Sequence, residues 1–328
     1  MGTTFKLDPS LDSDIALASQ MLHGGACVAF PTETVYGLGV DATNESAVRK
    51  AFEAKGRPSD NPLIVHLHST SQLELYCHSI SDIAYRLIEE FCPGPLTIVL
   101  PRRESIASIV TAGLSSVAIR FPSHSVAQRL LRKCELPIAA PSANRSGRPS
   151  ATTWQAVLED LEGRIDGVLC DEPCLIGIES TVVDVTHNIP IVLRSGRVSI
   201  EQLRKVSSNI RLNQHANDAL ANSPGLRHKH YQPSAKVILI EDVLLGQAFA
   251  GSDPAVSEAY IGISRLSRMD EQRFLRIQYC QSVDDYAARL FSYFRECDAI
   301  GIEAIHCESV NENGIGRALM DRLRRASD

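Results

Sequence analysis

Between Phe30 and His66 the chain runs FPTETVYGLGVDATNESAVRKAFEAKGRPSDNPLIVH, and this stretch restricts the fold more than any other. An apolar strand at 26–30 enters a loop dense in hydroxyls and glycines. An amphipathic helix follows, capped by Asn44, with Val48, Ala51 and Phe52 inward and Gly56 as its stop. A second apolar strand, 63–67, carries His66 in its middle. A helix flanked by continuous apolar strands belongs in an α/β sheet covered by helices. Hydroxyls, Lys55, Arg57 and His66 are thereby delivered to adjoining strand and helix ends, where such sheets build small-molecule sites.

The same alternation continues on both sides. Helices are expected at 12–23, 81–91 and 125–133, the first two stopped by Gly24-Gly25 and Cys92-Pro93-Gly94-Pro95. Strands are expected at 96–100, 117–121, 136–140, 167–170, 181–185 and 191–193, with the polar loop PSANRSGRPSAT after the third of these. Residues 207–235 change character: they are rich in Ser, Asn, His and Pro, and they read as an interdomain linker. From Lys236 a fresh α/β pattern starts, with strands at 236–240, 258–263 and 298–304 and helices near 282–296 and 316–326. The expectation is α/β throughout: a twisted open mixed sheet with helices in 1–206, a linker or lid in 207–235, and a small Rossmann-like domain in 236–328. A chain of 328 residues is long enough for two cores.

Composition removes several function classes. No apolar run approaches the roughly 18 residues of a membrane span. Residues 1–10 carry one lysine and no apolar core, so they are not read as a secretory signal, and a cytoplasmic location is expected. The nine cysteines are scattered, with Cys170 and Cys174 the nearest pair and no second pair at zinc-like spacing; they read as free thiols, and no protein-held metal is expected. Net charge is −6, with Lys+Arg against Asp+Glu at 20 to 24 in 1–225 and 13 to 15 in 226–328. Neither part has the excess of a dedicated nucleic-acid binder.

Four cations stand at strand or helix ends: Lys55 and Arg57 in the KGRP turn, Arg120 in AIRFP, and Arg194 in LRSG. A cation at a helix stop also suits the helix dipole, and one such residue is explained that way. A point charge beside a planar fork suits a polyphosphate. Ser142 and Asn144, directly after a strand, serve either turns or phosphate oxygens and a ribose. His66 on an apolar strand, taken singly, is more often a hydrogen-bonded core histidine. GxxxxGK[ST] is absent, which excludes a P-loop, and Gly314-Ile315-Gly316 reads as an ordinary strand–helix turn.

Taken in order, PTETVYGLG, KGRPSDNPL, RFP, PSANRSG, STVVDV and LRSGRVS resemble the YrdC-like threonylcarbamoyl-AMP synthases. The segment SPG…HYQPSAK and the terminal GIGRALMDRLRRA resemble the two-domain form of that family. The likeness spans essentially the whole chain; one departure is SPGLRHKHY, where many relatives have Met after SPG. The resemblance implies a nucleotidyltransferase that converts L-threonine, bicarbonate (or CO2) and ATP to threonylcarbamoyl-AMP and pyrophosphate. Mg²⁺ held mainly by the phosphates, and no organic cofactor, is implied. The product would pass to a tRNA threonylcarbamoyl transferase complex for t6A at position 37 of ANN-decoding tRNAs, with at most a weak contact between this chain and tRNA.

On the same resemblance, Lys55 and Arg57 are the catalytic cations. With Asn61, Ser116, Ser142, Asn144, Ser150, Arg194 and Tyr231 they would hold ATP. Thr34, His66, Arg120, Ser180 and the backbone at Ala140 would hold threonine, with Arg120 on its α-carboxylate. Thr32 and Tyr36 would line the same loop. Tyr231, with His228 and His230 near it in the linker, would close over the nucleotide. Rival readings are a double-stranded RNA-binding module, disfavoured by the acidic totals; a carbamoyl-transfer enzyme like the related domain of hydrogenase maturation proteins, disfavoured by the absence of a zinc-finger array; and an interaction protein acting through its C-terminal domain.

Overall fold

Eleven short strands supply the backbone pairing of the larger part. They are β1 (Phe5–Leu7), β2 (Val28–Phe30), β3 (Gly37–Asp41), β4 (Ile64–His66), β5 (Leu96–Pro101), β6 (Ser116–Arg120), β7 (Ile138–Ala139), β8 (Gly167–Leu169), β9 (Thr181–Asp184), β10 (Ile191–Arg194) and β11 (Arg211–Leu212). Their spatial order is β1-β8-β2-β3-β7-β4-β6-β5-β9-β10-β11, with parallel and antiparallel neighbours mixed. The computed structural model describes residues 2–213, 231–240 and 257–327. His228 and His230, and most of the expected linker, lie outside the described residues.

The helices form where periodicity and caps coincide. Glu45–Lys55 begins at Asn44, whose side chain accepts from the Ala47 N–H, and ends at Gly56 with φ 62°. Such a cap contributes about 1 kcal/mol. Asp12–His23, Asp82–Phe91 and Ser125–Cys134 fall where the pattern placed them. Two further helices, Trp154–Leu161 and Ile200–Val206, were not read from sequence; the second carries a reciprocal Ser199–Gln202 capping box. Strand β3 was read as loop. Its Gly39 lies where an added Cβ would stand 2.9 Å from the Phe30 ring and 3.0 Å from Ile138, so the glycine lets three strands close up.

The C-terminal part carries a separate four-stranded parallel sheet. Its strands β12 (Lys236–Ile240), β13 (Glu258–Gly262), β14 (Arg276–Tyr279) and β15 (Ala304–Glu308) lie in the order β12-β15-β13-β14. The helices Val283–Ala299 and Gly316–Ser327 pack on it, the second starting at the Gly314-Ile315-Gly316 turn. The expected strand at 298–304 is displaced: the long helix continues to Ala299, and pairing starts only at Ala304. The stretch 207–235, expected as an interdomain linker, is partly tied into both parts. Arg211–Leu212 pair with β10, and Tyr231 and Ala235 are buried in the C-terminal core. All nine cysteines are free; Cys92 and Cys170 are half-buried and the other seven buried.

The two parts meet across a packed seam. Ile178 belongs to the C-terminal apolar cluster, and Ile176 packs against it, although both precede β9 of the larger sheet. Between them Gly177, at φ 77°, lies against the backbone of Ala287 and Ala288. Two buried arginines cross the seam as well: Arg295 forms a two-pronged pair with Asp160, and Arg322 pairs with Glu179.

Candidate active site

Strand register gathers the polar residues. Parallel pairing of β4 with β6 sets His66 beside Arg120, and antiparallel pairing of β5 with β6 sets Thr97 opposite Arg120. Thr97 in turn meets the Ser180 hydroxyl at 2.8 Å. An isolated bridge joins Gly37 to Ser142, and the Ala140 N–H donates to the Ile64 carbonyl. Residues more than a hundred positions apart therefore face one cavity, with an empty volume of about 660 Å³ counted out to its solvent-open mouth.

Of the residues expected here, Thr32, Thr34, Tyr36, Arg57, His66, Arg120, Ala140, Ser142, Asn144, Ser150, Ser180, Arg194 and Tyr231 line this cavity. Three do not. Ser116, at the start of β6, lines a separate small hollow. Asn61 is fully buried next to Pro62, which is a wall residue. Lys55 is also buried, and its ammonium donates to the carbonyls of Ser142, at 2.5 Å, and Asn144. In this structure it holds the PSAN loop instead of facing the cavity. Burial, with Arg57 nearby, keeps its pKa well below the usual lysine value.

Arg57 makes only long contacts, 3.5 and 3.4 Å, with the carbonyls of Asn61 and Pro62, and its Nε has no hydrogen-bond partner. Burial pulls it down to about 10, with Arg194 adding to the effect. Arg57 is half-buried, and an anion in the cavity would offset the cost of its partial desolvation. Arg120 differs from the expectation in one respect. It is already paired, Nη2 donating to Glu33 at 2.7 Å, while Glu33 also accepts from the Ser123 N–H. Its Nε is unpartnered. His66 is neutral: burial, then the charge of Arg120, push it down to about 3. Its ring meets Phe30 edge-on at 5.9 Å.

Sequence reasoning passed over Glu179, Arg148 and the apolar wall of Pro62, Leu63 and Ile64. Glu179 accepts from Ser150 at 2.6 Å and from Arg322 at 3.0 Å. Burial raises its pKa, but Arg322, Arg194 and the Ser150 hydrogen bond outweigh that, and it stays ionised. Arg194 donates from Nε to the Ser180 carbonyl and from Nη2 to its hydroxyl. Tyr231 closes one side; its ring stacks on Phe291 at 5.3 Å and lies 5.6 Å from the Arg322 guanidinium. Signals for the missed arginines existed: Arg322 shares a helix face with Ala318, Leu319 and Ala326, where a charge needs a buried partner.

Among the described residues no cluster of His, Cys, Asp and Glu could hold a metal ion, and no helix is long and apolar enough to cross a membrane. A family model described as "Telomere recombination" (Sua5, YciO and YrdC) matches residues 20–196, and one described as "Threonylcarbamoyl-AMP synthase, C-terminal domain" matches 198–328. The threonylcarbamoyl-AMP synthase of Pyrococcus abyssi is 41% identical over 95% of this chain and 94% of its own length. That of Bacillus subtilis is 39% identical over 96% and 93%. A crystal structure of P. abyssi Sua5 complexed with L-threonine superposes with a TM-score of 0.89 at 37% identity, covering 99% of this chain and 97% of that one. Escherichia coli YciO, 20% identical with a TM-score of 0.55, shares the fold of the larger part, covering 62% of this chain. The chain belongs to the Sua5/YciO/YrdC family, in its two-domain form.

Proposed function

We propose that this chain is a threonylcarbamoyl-AMP synthase that joins L-threonine, bicarbonate and ATP and releases pyrophosphate. One observation carries the reading: a cavity whose walls hold Arg57, Arg120 and Arg194, in a chain alike along nearly its whole length to proteins of that activity. The relative that superposes across almost the entire chain binds L-threonine.

The chemistry needs anions aligned more than it needs a covalent nucleophile. The amine of threonine and bicarbonate give a carbamate and water. A carbamate oxygen attacks the α-phosphorus of ATP, the bond to the bridging oxygen breaks, and pyrophosphate leaves with that electron pair. Arg57 and Arg194 stabilise the phosphates; Asn144 and Ser142 contribute from a loop that Lys55 holds by its carbonyls. Preorganised cations in a low-dielectric cavity are worth more than in water. Arg120, anchored by Glu33, offers its other edge to the threonine carboxylate, and the hydroxyls of Thr32, Thr34 and Ser180 lie on the same wall. Mg²⁺ brought with ATP would supply charge neutralisation on the phosphates; with Glu179 engaged by Arg322 and Ser150, phosphate oxygens would be its main ligands.

Tyr231 belongs to the closing wall in this reading, excluding water from a hydrolysable adenylate. The product would serve t6A modification at position 37 of ANN-decoding tRNAs through a separate transferase complex. The test is incubation with ATP, bicarbonate, Mg²⁺ and labelled threonine. Threonine-dependent pyrophosphate and a threonine-containing AMP adduct are expected. Pyrophosphate release indifferent to threonine would overturn the reading.

A further inference from the structure

Arg322 is the largest fully buried side chain among the described residues, and it comes from the terminal helix of the C-terminal part. Its Nε donates to Glu179 at 3.0 Å, and its Nη1 donates to the Ser195 carbonyl at 2.9 Å and to Asp321 at 2.8 Å. Glu179 and Ser195 both belong to the other part of the chain, next to Ser180 and Arg194 of the cavity wall. The Tyr231 ring lies over the same guanidinium.

We propose that Arg322 is a positioning residue for the candidate site: it neutralises Glu179, a buried carboxylate of the cavity wall that would otherwise repel an anionic substrate, and with Phe291 it seats Tyr231 in the cavity wall. The physical reason is charge. Glu179 is a buried carboxylate lining a cavity proposed to take polyphosphate. Without its ion pair to Arg322 the negative charge of Glu179 would repel phosphate. The C-terminal part thus completes the site by one buried charge, without contributing a group to the reaction. This rests on the function proposed above, in that the anion is taken to be the phosphates of ATP.

The test compares Arg322→Gln, Arg322→Lys and the double variant Arg322→Gln/Glu179→Gln in the full-length protein. The readouts are KM for ATP and for threonine in the pyrophosphate assay and, in parallel, calorimetric binding of tripolyphosphate. Arg322→Gln is expected to raise the KM for ATP and the tripolyphosphate Kd by about tenfold or more, the scale of one charge-assisted contact, while the KM for threonine moves less than about twofold. Arg322→Lys, which keeps the charge, should stay within about threefold of the parent. The double variant removes the unpaired carboxylate and should recover most of the loss; a packing role for Arg322 would not be rescued in this way.

An ATP KM unchanged in Arg322→Gln, a double variant as impaired as the single one, or Arg322→Lys as impaired as Arg322→Gln each overturns the proposal. If Arg322→Gln does not fold, the lysine and double variants, neither of which leaves a buried charge unpaired, decide it by the same criteria. If the parent protein shows no threonine-dependent turnover, the functional reading fails, and the tripolyphosphate arm still tests Arg322.

Discussion

Replacing Gly177 by alanine should separate the two parts of the molecule at their seam. An ideal Cβ there would stand 2.4 Å from the Ala288 Cα, 2.5 Å from its carbonyl oxygen and 2.7 Å from the Ala287 carbonyl oxygen. All three are helix backbone atoms, so no side-chain rotamer relieves the clash, and the loop must move bodily. Its φ of 77° adds a second cost, roughly 1–2 kcal/mol for an L-residue in the left-handed region. Forcing a close-packed contact apart costs about 1–3 kcal/mol more. The sum, roughly 2–5 kcal/mol, lowers Tm by roughly 4–20 °C, at about 2–4 °C per kcal/mol for a unit the size of the larger part.

Gly301 provides the matched control for Gly177. It has φ 72° but nothing within 4 Å of an added Cβ, so Gly301→Ala isolates the backbone cost. Differential scanning calorimetry of the two variants gives the steric contribution as their difference. Activity should fall in Gly177→Ala as well, because the Gly177 N–H donates to the Thr34 carbonyl and Ile176 donates to Glu33, so a displaced loop drags the partner of Arg120. A Gly177→Ala protein no less stable than Gly301→Ala would refute the seam as described.

Other outcomes follow from the site. Arg57→Ala should lower pyrophosphate release by about 10- to 150-fold, from the loss of charge-assisted contacts, with little change in Tm. Lys55→Ala should lower activity and Tm together, since it also leaves the Ser142 and Asn144 carbonyls without their donor; an active Lys55→Ala/Arg57→Ala double variant would sink the assignment. His66 has a folded pKa of about 3, below its ordinary value, so the unfolded chain binds the extra proton in between. Its contribution to stability is therefore present above pH ~6.5 and lost as pH falls toward 3, and His66→Gln should flatten the acid limb of a urea-denaturation series. The amino acid preference should run threonine, serine, valine: serine loses one methyl, on the order of 1 kcal/mol, whereas valine leaves a buried polar partner unsatisfied. Valine used as well as threonine would contradict the substrate.

Much of the site was legible because it is built from strand and helix ends, and ends carry local signatures. Asn44 and Gly56 bracket their helix with a cap and a left-handed stop, so Arg57 was placed correctly from sequence. Apolar runs before Arg120, Ala140 and Arg194 marked the strands whose ends line the cavity. Strand β3 was missed because its glycines suit close packing between strands and not the β-branched pattern that marks one. The last strand slipped to Ala304–Glu308 because the short apolar stretches on either side of Glu303 do not say where a helix stops and pairing starts.

What only the tertiary structure decided are the partners of the charges. Sequence placed Lys55 and Arg120 near the site but not that Lys55 turns to two carbonyls or that Glu33 occupies one edge of Arg120. It identified a C-terminal domain but not Arg295 on Asp160 or Arg322 on Glu179, pairs separated by well over a hundred residues. Periodicity and capping act over a few residues, so a chain displays them locally. The compensation of a buried charge depends on register and domain packing, which exist only once the chain has closed on itself.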